Sequence, residues 1–145
     1  MKKNPEAFES YLSTMSQLTE SLRRLRTTED NMTEAASTNH PEQLDAIVKN
    51  AQPELLHFRG LDQKRSHCEK ELGIEGLGLE DVISECDGDQ SDRLKPVLSE
   101  LIRELKLFQE SHDNADRIMK IRLLDVNIAL QDLPQKPVAF HDTLA

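Results

Sequence analysis

The chain's 145 residues suffice for one domain with a modest core. Only 3% are aromatic and none is Trp, which suits helix seams of Leu, Ile and Met better than a β-sandwich or an enzyme pocket. A net charge of −9 argues against non-specific binding to nucleic acid or to an anionic membrane. With no run of ~18 apolar residues, no membrane insertion is expected.

The opening MKKNPEAFES carries charge but no apolar stretch, so it does not read as a signal peptide. Asn4-Pro5-Glu6 reads as a helix start: Asn caps, Pro fits the first helical position, and Glu suits the positive end of the helix. Phe8, Tyr11, Met15, Leu18, Leu22, Leu25, Met32 and Ala36 then recur at spacings of three and four, with Glu29 the one charged member. That is the seam of a helix packed against other helices. Arg23, Arg24 and Arg26 cluster midway and read as a solvated face rather than a nucleic-acid patch.

Ser37 to His40 reads as a turn. Asn39 with Glu42 resembles a capping box, with Pro41 in the first turn of the next helix. That helix carries Leu44, Ile47, Val48 and Ala51, and Pro53 predicts a kink or a restart. The pattern resumes with Leu55, Phe58, Leu61, Arg65, Cys68 and Leu72, and Gly73 is a natural stop. Residues 73–92 read as an irregular connection with a short helix from Leu79 to Cys86. The run Asp87 to Asp92 reads as a turn into the last helix.

The stretch Ser91–Leu133 predicts one long helix of roughly 60 Å, interrupted only by Pro96 near its start. Its seam holds Leu94, Leu98, Leu101, Leu105, Phe108, His112, Ala115, Met119, Arg122, Val126, Ala129 and Leu133. Ile121, Leu124 and Ile128 fall at i, i+3 and i+7 on the opposite face. From about Ile118 onward the helix is therefore apolar on two sides, and the second stripe is the best candidate for a partner surface. Ile118, Ile121, Leu124, Ile128, Leu130 and Leu133 are its candidate residues. The tail 134–145 has two prolines and no period, so it is expected to be disordered on its own.

The chemical-looking clusters carry little. Asp87-Gly88-Asp89 opens like a calcium loop, but the sixth position is Asp92 instead of Gly and the twelfth is Leu98 instead of Glu. Gly73-Ile74-Glu75-Gly76-Leu77-Gly78 lacks the preceding strand and following Lys of a phosphate loop. His57, His67, Cys68, Cys86 and His112 lack metal-ligand spacing. Cys68 and Cys86 read as reduced thiols without a disulfide framework. Ser111-His112-Asp113 are consecutive on a helix and cannot chain a triad's hydrogen bonds. No enzyme, metal or cofactor is expected.

The segment Leu55-Leu56-His57-Phe58-Arg59-Gly60-Leu61-Asp62-Gln63-Lys64-Arg65, the Leu72-Gly73 stop, and Arg122-Leu123-Leu124-Asp125-Val126-Asn127-Ile128-Ala129-Leu130 together resemble the FlgN type of flagellar export chaperone. Where that family shows a second Asn and a Gly, this chain has Ala129 and Leu130. The resemblance implies a non-enzymatic cytoplasmic chaperone of type III export. Such a chaperone holds hook–filament junction subunits through its C-terminal helix before secretion, and export apparatus components are further partners it implies. Read from the residues, the fold is all-α: an antiparallel bundle of three long helices with a short helix in the second connection. It comprises a helical domain, 1–133, and a tail, 134–145. A homodimer, a self-associating coiled coil and a helical ligand-binding bundle remain the alternative readings.

Overall fold

The computed structural model describes residues 3–131, with side chains as far as Ile121. Asn4 opens α1 (Pro5–Ser37) as expected. Its side-chain Oδ1 accepts a hydrogen bond from the Ala7 amide at 3.1 Å, and Pro5 occupies a position whose amide would be unpaired anyway. The seam residues Phe8, Tyr11, Met15, Leu18, Leu22 and Leu25 are buried. So are Thr14, Thr19 and Ser21, which makes the covered arc wider than one stripe. The threonine hydroxyls donate to carbonyls one turn back, Thr14 to Ser10 at 2.7 Å and Thr19 to Met15 at 3.0 Å. Both are thus buried without an unpaired donor.

α1 stops through Asn39, which takes a left-handed φ of 59°. The Asn39 amide donates to the Ala36 carbonyl at 3.3 Å and the His40 amide to the Ala35 carbonyl at 3.1 Å, the double bond of a Schellman stop. This corrects the capping-box expectation. Asn39 ends α1 instead of starting the next helix. The N-cap of α2 (Pro41–Leu72) is His40, whose side chain makes no capping bond. α2 also runs unbroken through Pro53 where a restart was expected. Pro53 and Lys49 are both exposed, so water can serve the carbonyl that the proline leaves unpaired.

Gly73 ends α2 at φ 71°. The Ile74 amide reaches back to the Glu69 carbonyl at 3.0 Å, and its side chain is buried in the core. α3 (Leu79–Ser84) follows and buries Val82. α4 (Gly88–Gln131) begins three residues before the expected Ser91, because the acidic run makes a capping box there. The Gln90 amide donates to Asp87 Oδ1 at 2.8 Å, and the Asp87 amide donates to Gln90 Oε1 at 3.2 Å. The fold is thus all-helical, three long helices and a short one, with no strand among the described residues.

Cross-helix pairs fix the arrangement. Ser21 donates to Glu54 at 2.9 Å, while Cys68 lies 3.5 Å from the Ser10 hydroxyl. Ascending α1 therefore meets descending α2. Arg93 pairs with Glu9 at 2.9 Å, Arg23 with Glu100 at 2.7 Å, Arg26 with Glu104 at 2.8 Å, and His112 with Glu29 at 3.0 Å, so the order along α4 rises with that along α1. Among the described residues, the backbones of α2 and α4 both come close to α1 and not to each other, and that of α3 comes close to α4, while side chains of all four helices share one buried cluster. The arginine cluster keeps a solvated side, with Arg24 53% exposed, and also carries cross-helix pairs: Arg23 and Arg26 tie α1 to α4, and Arg24 ties it to Glu54 of α2.

The α4 seam holds at Leu94, Leu98, Leu101 and Ala115, all buried. It departs at two expected positions. Leu105 is 40% exposed, and the neighbouring Glu104 side chain is instead 3% exposed. His112 is exposed beside Glu29, with its ring stacked on Phe108 at 5.9 Å. Positions 104 and 105 straddle the line facing α1. The α1 arginines draw in the carboxylate, and Leu105 is left on the flank turned toward α2.

Candidate partner-binding surfaces

Among the described residues, large apolar side chains are exposed on α2 (Val48, Leu55 and Leu56), along one groove, and on late α4. Late α4 and the groove are taken here as candidate surfaces. The first is the late stretch of α4. Ile118 is half-buried and Ile121 is 49% exposed. Leu124, Ile128 and Leu130 lie in α4, which stays helical to Gln131, but their side chains fall outside the described residues, as do Leu133 and the tail. The helical register still places this stretch. Glu29 of α1 pairs with His112 of α4, and α1 ends eight residues later at Ser37. At equal rise, Ser37 lies about level with residue 120 of α4, so the remainder of α4 overruns α1 by roughly 16 Å. α2 starts beside the end of α1, at Pro41, so neither long helix accompanies that overrun.

The second surface went unnoticed in the sequence. Between α2 and α4 runs an open groove of about 320 Å³. Met15, Leu18 and Leu22 of α1 form its floor, Phe58 lines the α2 wall, and Leu101 and Leu105 line the α4 wall. Leu77 and Leu79 close one end. The α2 rim carries a charge ladder in which Arg65 pairs with Asp62 at 2.9 Å and also with Glu69. Glu69 is nonetheless buried. Burial lifts its carboxyl above the usual carboxylate range; Arg65 opposes that shift, and Asp62 and Glu75 add to it. In the sequence it shows only as a leucine between glycines, Gly76-Leu77-Gly78; its exposure is seen in the structure.

Three of the residues considered for chemistry have structural roles. Asp87 caps α4. Cys68 is buried beside Ser10, and the Cys86 thiol donates to the Val82 carbonyl at 3.3 Å. Burial raises the Cys86 thiol above its ordinary range, which makes it a poorer nucleophile. Among the described residues, no three His, Cys, Asp or Glu gather as a metal site, and no helix is long and apolar enough to cross a membrane.

His112 supplies a pH-dependent tie between α1 and α4. Its hydrogen bond to Glu29, aided by the charges of Glu29, Asp116 and Asp113, raises its pKa above 6.5 despite some desolvation. A raised histidine pKa means that the folded state binds the proton more tightly. Its stabilisation is complete below pH 6.5 and is lost as pH rises through the raised value. Because the ring is 57% exposed, the effect should stay under about 1 kcal/mol. Melting curves from pH 5.5 to 8.5 should show that slope in the native chain and lose it in His112→Gln. An unchanged slope in the variant would assign the effect to another group.

Comparison with known protein families, curated proteins and solved structures finds no match to this chain.

Proposed function

We propose that this chain is a non-enzymatic, cytoplasmic export chaperone of the FlgN type. In this reading it is an antiparallel three-helix bundle whose late α4 masks an amphipathic helix of hook–filament junction subunits before secretion. The observation that carries the reading is the run of α4 past the end of α1, with Ile121 already 49% exposed as the run begins. A helix whose sequence is apolar on two faces and that extends past the end of α1 calls for a partner.

Magnitudes set the size of that partner surface. Burying Ile121, Leu124 and Ile128 is worth about 1.5–3 kcal/mol each, against an association cost of ~4–15 kcal/mol. Ile118, Leu130 and Leu133 must therefore contribute as well. Leu124→Asp with Ile128→Asp should abolish capture of a hook–filament junction subunit, with helix content and melting temperature nearly unchanged. Deleting residues 134–145 should weaken capture less. Unfolding of the double variant would place the stripe in the core, and retained capture would place the cargo surface elsewhere. The same uncovered length of α4 would also fit a second copy of the chain. A stable dimer in light scattering that ignores cargo would favour that self-associating reading.

A further inference from the structure

We propose that the outer face of α2 is a self-association surface, on which a second copy of the chain packs its own α2 antiparallel to the first, centred on Gln52. This does not rest on the chaperone reading, because it concerns a different helix.

α2 is apolar on two sides. Glu54 and Cys68 meet Ser21 and Ser10 of α1, and the buried Leu61 lies on the same side. At about 100° per residue, Val48, Gln52, Leu55, Leu56 and Arg59 fall within one arc on the side turned away from α1. The bundle leaves that arc open: Leu56 is 66% exposed, Val48 39% and Leu55 38%. The buried residues of α2 begin only at Leu61, so the core does not use the helix's first half. Three large aliphatic side chains on the outer face of one helix are more than scattered exposure accounts for.

Charge makes a second copy the occupant. The chain as a whole carries −9, which holds copies apart. α2 itself has six Asp or Glu and five Lys or Arg, so copies repel least along this helix. On the arc, Arg59 is exposed and pairs with no carboxylate among the described residues. The Asp45 side chain is 68% exposed and engages Lys49 at 3.0 Å through Oδ2 alone, which leaves Oδ1 for another donor. Asp45 and Arg59 stand equally far on either side of Gln52. In an antiparallel pair with its two-fold axis at Gln52, each residue faces the one equally far beyond the axis. Asp45 of each copy then faces Arg59 of the other at both ends of the contact, and Val48 lies against Leu55 and Leu56 of the other copy. A contact of one helix pair, about four turns long, falls below the ~1,200 Å² of standard interfaces. The dimer is therefore weak and reversible.

The test is sedimentation equilibrium of the full chain at ~0.15 M salt, up to about 1 mM protein. The native chain should dimerise reversibly in that range. Leu56→Asp should weaken the dimer at least tenfold, and Ile121→Asp should leave it unchanged. Asp45→Arg and Arg59→Asp should each weaken it severalfold, because like charges then meet at both ends. An equimolar mixture of those two variants should associate as tightly as the native chain, since every end pair is again of opposite charge. Should Leu56→Asp fail to fold by circular dichroism, the two charge variants carry the same comparison at exposed positions. No dimer at the highest concentration would overturn the proposal. So would indifference to Leu56→Asp, equal weakening by Ile121→Asp, or a mixture that associates no better than either charge variant alone.

Discussion

Leu94→Ala is expected to destabilise the fold by about 3 kcal/mol, whereas Leu105→Ala, at a seam position of the same apparent kind, should cost well under 1 kcal/mol. Leu94 is fully buried, in the cluster that includes Phe8, Tyr11, Met15, Leu72 and Val82. Truncation there removes buried methyl groups and leaves a cavity between helices that cannot fully collapse, a change that costs roughly 2–5 kcal/mol. Leu105 is 40% exposed on the groove wall, so its truncation forfeits little burial and opens no closed cavity. Urea unfolding followed by circular dichroism measures both variants. Equal losses would mean that the groove is closed in solution and that Leu105 belongs to the core.

Glu104→Ala is expected to cost about 2 kcal/mol. The Glu104 side chain is 3% exposed and accepts from both the Arg26 Nη2 at 2.8 Å and its Nε at 3.2 Å, with Arg23 Nε 3.7 Å away. Removing one partner of a fully buried pair costs roughly 3–5 kcal/mol. The value here is lower because Arg26 and Arg23 are 32% and 38% exposed and can rehydrate. The second carboxylate oxygen, Oε2, has no hydrogen-bond partner, so the pair already bears an unmet desolvation cost. Glu104→Leu should therefore be milder than Glu104→Ala, since it fills the same space without the carboxylate. A double-mutant cycle with Arg26→Ala isolates the coupling. A coupling near zero would show that Glu104 acts by packing alone.

Much of the architecture was legible because it follows from local rules. The cap at Asn4, the stop at Gly73, the short helix from Leu79 and the buried line from Phe8 to Leu25 each need only a residue's own preference and its neighbours three or four places away. Where one residue type suits two roles, the sequence was ambiguous. Asn39 fits both a left-handed stop and an N-cap, and the geometry of the α1–α2 turn uses it as the stop. Asp87 fits both a turn and a helix cap, and the position of Gln90 decides for the cap.

The sequence by itself determined that three long amphipathic segments and one short one would fold as helices, and where most of them begin and end. Only the tertiary structure decided which neighbour each face meets. A spacing of three and four cannot distinguish positions 104 and 105. That choice rests on Arg23 and Arg26, some 78 residues away in the chain, whose charges draw Glu104 into the interface. It equally cannot show that the backbones of α2 and α4 both approach α1 more closely than they approach each other. The groove between them belongs to no single helix. It is lined by all three long helices and the connection, and it leaves Leu105 and Leu77 exposed.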